Sequence, residues 1–230
     1  MTDGSPPPAL PAAPETRADD HEDDRAKLER VAFFSDAVFA IAATLLVVDL
    51  RIPETVGRLT DGQFIQALVD LAPRFYGFAV SIVTIGLYWA GHHRTFGRFV
   101  RYDAALPYYN LLFLIGIAFM PFPTSTLGQF YYLTSAVLFY AGWQVVTGAA
   151  YLLLWIWATR DRRLVPRDVT DGWIRERTWF GATVGLGFAI TAPIAFVSPV
   201  LTQILWWPAI SVLSLVVARR YEGAEPRDLP

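Results

Sequence analysis

The stretch RVAFFSDAVFAIAATLLVVDL, Arg30 to Leu50, decides the fold class. Between Arg30 and Arg51 it carries only Asp36 and Asp49 as charges. Roughly 20 apolar residues at a rise of about 1.5 Å each cross the hydrocarbon of a bilayer. Five more runs follow, over 73–91, 107–127, 130–157, 178–198 and 200–218, and the six together hold three charges, Asp36, Asp49 and Arg74. A chain of 230 residues cannot hide six such runs in a water-soluble core. None shows the strict alternation of a membrane β-strand, and a helix satisfies its own backbone in lipid. The sequence therefore predicts an all-α membrane protein with six transmembrane helices.

Composition agrees. Hydrophobic residues make up 54% and charged residues 17%, against about 25% charged in soluble domains. The mean hydropathy is +0.36. There is no cysteine, and the net charge is −2. Disulfides, thiolate metal sites and a general nucleic-acid affinity are excluded. No P-loop, GxSxG or HExxH motif is present, so no enzyme and no cofactor are expected.

Residues 1–26 read as a disordered, acidic, proline-rich cytoplasmic tail, 27–220 as the membrane domain and 221–230 as a short C-terminal tail. Segment 54–70 is too polar to span and is expected to form a loop with an interfacial helix around 64–71. The fourth run is long enough to require tilt. Pro208 predicts a kink in the sixth helix, and Ser198-Pro199 a tight hairpin before it. With the N-terminus inside, 16 of the 19 Lys and Arg residues fall on cytoplasmic segments. That excess predicts both termini inside.

Asp36 lies about one and a half turns into the first run, beside Ser35. An acid at that depth marks an ion pathway or a structural pair, or else a group hydrated by nearby lipid headgroups. Ile41, Thr44, Leu45 and Val48 share one helix face. Such a stripe is either ordinary packing or a pore lining with an apolar constriction and one hydroxyl ring. The second run closes with GLYWAGHHRTF, Gly86 to Phe96. Trp89, His92, His93 and Arg94 there form an interfacial cluster or a buried hydrogen-bonded group. Adjacent histidines point apart on a helix and no third ligand is near, so no metal site is expected.

The third run, NLLFLIGIAFMPFPTSTLG from Asn110 to Gly128, is broken near its end by Pro121 and Pro123. Thr124, Ser125 and Thr126 are placed to cap the freed carbonyls. In the fifth run, Thr183-Val184-Gly185-Leu186-Gly187 mimics the TVGYG filter of familiar potassium channels. That filter needs a re-entrant loop after a pore helix, whereas here the motif lies mid-span. Gly181 and Gly185 also form GxxxG, a helix-packing signal.

Arg30-x-x-x-Phe34-Ser35-Asp36 resembles the RxxxFSD signature of the transmembrane protein 175 family of potassium channels. The following AVFAIAATLLVV, then YWAGHHRTF and NLLFLIGIAFMPFPT, extend the likeness over about residues 28–128. The resemblance implies a six-helix subunit of a homotetramer in a bacterial cell membrane, with K+ as the permeant ion. It implies that the first helix of each subunit lines a central pore without a TVGYG filter. By the same likeness Ile41 is the constriction, and Thr44, Leu45 and Val48 line the pore with it. Arg30, Ser35 and Asp36, with Trp89 and His92 as neighbours, serve a buried polar network that holds the first helix. Arg30 and Asp36 are roughly 240° apart around a helix, so a pairing runs through other helices. Ala43 departs from the family, which often has a larger aliphatic there.

A small secondary carrier or a non-conducting assembly protein is the alternative. A carrier requires an intramembrane binding site, for which the sequence offers only Asp36.

Overall fold

The computed structural model describes residues 15–52 and 58–221, with side chains described from residue 22. The expected tails over 1–14 and 222–230 lie outside the described residues. All regular structure among the described residues is helical.

Helix α1 runs from Glu15 to Leu45 and tightens into a 3-10 turn, Leu46–Asp49. It begins well ahead of Lys27, where the sequence places the start of the membrane domain. The pairs Lys27–Asp23 at 2.5 Å and Arg25–Glu29 at 3.3 Å, each four residues apart, support this polar extension. Segment 58–71 contains the expected interfacial helix, α2, Asp61–Asp70. It opens with a capping box: Thr60 accepts from the Gln63 amide, and the Gln63 side chain accepts from the Thr60 amide. Helix α3, Ala72–Phe96, follows at a bend of 46°.

The third span divides into α4, Leu106–Ala118, and α5, Pro121–Gln129. Pro121 and Pro123 have no N–H to offer the carbonyls of Ile117 and Phe119. The backbone repairs this itself by tightening: Met120 N–H donates to Ile117 O and Phe122 N–H to Phe119 O, both at 3.1 Å. The expected hydroxyl caps serve other carbonyls. Thr124 donates to Met120 O at 2.8 Å and Thr126 to Phe122 O at 3.0 Å.

Helix α6 is Thr134–Thr159, α7 is Asp171–Thr191 and α8 is Pro199–Arg220. Helix α7 starts earlier than the apolar run because Thr170 caps it, accepting from Trp173 N–H at 3.2 Å. Arg175, Glu176 and Arg177 are therefore helical. Ser198 caps α8 at the expected hairpin, and α8 continues unbroken through Pro208.

Five of these helices are long and apolar enough to cross a membrane, or six if α2 and α3 count as one bent span. The chain is a multi-pass membrane protein. Helix α6 lies at the centre, packed on α4, α5, α7 and α8, while α1 sits at the edge against α3 and α4. Tyr140, Phe188 and Trp206 fill the middle with ring centroids 5.0–5.8 Å apart. Ser81, Thr124 and Tyr140 join α3, α5 and α6 through buried hydroxyl contacts of 2.7 and 2.9 Å.

The filter mimic is continuous α7 helix. Gly185 meets the Gly148 backbone of α6, and Gly181 packs on Tyr151. Gly181 and Gly185 thus serve the close helix approach that GxxxG signals.

Candidate functional site

Helix α1 has two opposite faces. Ser35, Phe39, Ala42 and Leu46 recur at i, i+4, i+7 and i+11 and are all buried in the subunit. About 200° away, Ile41 is 59% exposed, Leu45 47% and Val48 46%, with Thr44 also exposed. The Thr44 hydroxyl is satisfied within the helix, donating to Ile41 O at 2.9 Å. Only 22% of the most apolar window of the first span is buried inside the subunit, against 50% for the span Leu106–Gln129.

The buried face is held by polar contacts at both ends. Near the first end, Ser35 Oγ donates to Val31 O at 2.8 Å. Its one proton spent, the hydroxyl accepts from Asn110 Nδ2 at 2.8 Å. That orients the Asn110 amide with Oδ1 toward His92, whose Nε2 lies 2.8 Å away and donates. The chain of donors runs from α3 through α4 to α1. Ser35, His92 and Asn110 are 0%, 1% and 2% exposed. The His92 ring is stacked on Phe96 at 4.2 Å and flanked by Phe39 and Phe113. Beside this joint, Asp36 Oδ1 accepts from Trp89 Nε1 at 2.9 Å, on the exposed flank between α1 and α3.

At the other end, Asp49 Oδ1 accepts from Ser125 Oγ of α5 at 2.9 Å. Arg74 of α3 donates to Asp49 O at 3.4 Å. Helix α1 is thus pinned at two levels about 13 residues apart, which is roughly 20 Å of helix. Pinning both ends of one face fixes the rotation of the helix and keeps the other face turned outward.

Of the residues singled out in the sequence, Ser35 and His92 meet through Asn110, and Asp36 meets Trp89 directly. Arg30 and Phe34 lie on the outside of the subunit. Arg30 makes no hydrogen bond or ion pair among the described residues. Asn110 is the residue that sequence reasoning passed over. Its signal was an amide within an otherwise apolar run, where an unsatisfied polar group is costly.

Comparison with known proteins places the chain in a family. The sequence profile of the family described as "Endosomal/lysosomal potassium channel TMEM175" matches residues 30–121, from the signature to the start of α5. A potassium channel of Streptomyces collinus is 35% identical over 179 residues, covering 75% of this chain and 84% of that protein. A potassium channel of Chamaesiphon minutus is 35% identical over 153 residues, covering 63% and 72%. The crystal structure of a lysosomal potassium-selective channel TMEM175 homologue from Chamaesiphon minutus superposes with a TM-score of 0.68 at 27% identity. It covers 86% of this chain and all of that one. The profile match that begins at the α1 signature, the 35% identity to the Streptomyces collinus channel and the shared fold along most of both chains make this protein a member of the TMEM175 family.

Proposed function

We propose that the chain is one subunit of a homotetrameric, potassium-permeable channel in a bacterial cell membrane, with both termini cytoplasmic and residues 27–220 forming the channel domain. Four copies of α1 surround a central pore. Ile41 forms the constriction and Thr44, Leu45 and Val48 line the pore on the same face. Conduction is passive, and selectivity arises from pore width and the cost of ion dehydration at an apolar ring, without carbonyl cages. The family is one of ion channels, so the chain is no enzyme.

The observation that carries this reading is the outward face of α1. It bears the residues that the family likeness assigns to the pore, while the opposite face is anchored at two levels. A stripe on one helix encloses nothing, so a pore requires symmetric copies, and cyclic closure supplies them. The relatives from Streptomyces collinus and Chamaesiphon minutus, both named potassium channels, support K+ as the permeant ion.

Potassium flux from liposomes holding the purified protein tests the reading, with Ile41→Asn alongside. Asn wets the constriction, and flux in this variant should rise at least about tenfold if its apolar ring contributes about 1.4 kcal/mol to the barrier. Equal flux in the two proteins would remove Ile41 from the constriction. Saturable, substrate-specific uptake by a monomer would instead establish the carrier.

A further inference from the structure

Away from α1, a cleft of about 520 Å³ opens between α3 and α7, with α6 as its floor and Ile210 of α8 at its apolar end. This volume is within the range of ligand pockets, roughly 300–1,000 Å³. Both walls are tied to the floor. Thr95 of α3 bonds the Tyr151 hydroxyl at 2.8 Å, and Trp155 donates to Thr178 of α7 at 3.0 Å. Glycines make room for this floor: a Cβ on Gly181 would lie 2.8 Å from the Tyr151 ring, and one on Gly91 3.2 Å from its hydroxyl.

The two walls change character together. On α3 the lining passes from Leu87 to Arg94 and Arg98. On α7 it passes from Val184 and Phe180 to Arg177. Leu87 and Arg94 are seven residues apart, as are Val184 and Arg177, a rise of roughly 10 Å in each helix. Because the helices run in opposite directions, the basic C-terminal end of α3 meets the basic N-terminal end of α7. Trp173 brings them together, its ring lying 5.5 Å from the Arg98 guanidinium and 5.4 Å from that of Arg177. The described lining includes no Asp or Glu.

A cleft between membrane-crossing helices, with a basic end and an apolar end about 10 Å away, has the polarity of a phospholipid. We propose that it binds an anionic phospholipid, with the phosphate at Arg94 and Arg98 and one acyl chain along Leu87, Phe180 and Val184. Guanidinium groups recognise phosphate oxygens by charge-assisted hydrogen bonds. Basic pockets between membrane helices on the cytoplasmic side bind acidic head groups. The leaflet rests on the orientation proposed above, whereas the chemistry of the cleft stands without it.

Native mass spectrometry of the full chain in detergent, titrated with phosphatidylglycerol or phosphatidylcholine of the same acyl chains, tests the assignment. The wild type should bind phosphatidylglycerol at least about tenfold more tightly. The double variant Arg94→Gln, Arg98→Gln should weaken that binding by roughly 30-fold and weaken phosphatidylcholine, whose choline cation offsets its phosphate, by a smaller factor. The pair Arg94→Lys, Arg98→Lys should keep most of it. Ala90→Trp, which fills the lining of α3, should weaken both lipids. Equal binding of the two lipids, unchanged phosphatidylglycerol binding in the Gln pair, or loss in both the Gln and Lys pairs would overturn the proposal. So would an Ala90→Trp protein that loses subunits while binding lipid normally, since a second copy would then occupy the cleft. No flux is read, so failure here and failure of the channel reading are separate results.

Discussion

Replacing Asn110 by Leu should destabilise the subunit by about 1–3 kcal/mol, through a single orphaned proton. The direction of the hydrogen bonds sets this figure. Ser35 donates to Val31 O, so its hydroxyl is satisfied without Asn110. His92 donates to Asn110 Oδ1 across 2.8 Å in a site where the ring is 1% exposed. Leucine leaves that N–H with no acceptor and no water, and the cost is its desolvation. For a chain of this size each kcal/mol corresponds to roughly 2–4 °C in Tm, giving a fall of about 2–12 °C. Thermal unfolding in detergent, followed by tryptophan fluorescence, reads it. His92→Phe alone leaves the Asn110 carbonyl oxygen without its donor and should cost about 1 kcal/mol. The double variant removes donor and acceptor together, so its loss should fall short of the sum of the two singles by about 1 kcal/mol. An unchanged Tm in Asn110→Leu, or strict additivity in the double variant, would refute the directed chain.

Glycine positions separate packing from propensity. A Cβ on Gly116 would lie 2.7 Å from Thr147 Oγ1 and 3.1 Å from Thr147 Cβ, so Gly116→Ala should cost about 1–3 kcal/mol by forcing α4 from α6. Gly142 has nothing within 4 Å, and Gly142→Ala should leave Tm unchanged or raise it by a few degrees through helix propensity. Asp36→Ala should cost the isolated subunit no more than about 1 kcal/mol, because the Trp89 indole it frees lies on an exposed flank. A larger loss of tetramer than of subunit stability, read by detergent-solubilised mass and thermal unfolding together, would place the Asp36 contact that matters between copies.

Much of the fold was legible because membrane spans are written locally. Six apolar runs, the helix expected around 64–71, the hairpin at Ser198 and the GxxxG spacing of α7 each depend on neighbours within a few turns. The proline break between α4 and α5 was legible as a break, but its repair was not. Tightening to i+3 bonds at Ile117 and Phe119 is a backbone choice that side-chain composition does not encode. The cap at Thr170 starts α7 ahead of the apolar run over 178–198, a start that hydropathy alone does not reach.

By itself the sequence determined the solvent. Stretches of about 20 apolar residues need lipid, and lipid demands helices. It also determined that Ile41, Thr44, Leu45 and Val48 share a face, because helical period is a property of the chain alone. Which way that face points was decided by tertiary structure. Ser35 and Asn110 are 75 positions apart, and Asp49 and Ser125 are 76. Their meeting depends on the rotation and relative height of three packed helices, quantities with no counterpart in any window of residues. The same holds for the basic cleft, where Arg98, just past the end of α3, reaches Trp173 of α7, whose ring Arg177 also covers from one turn along the same helix.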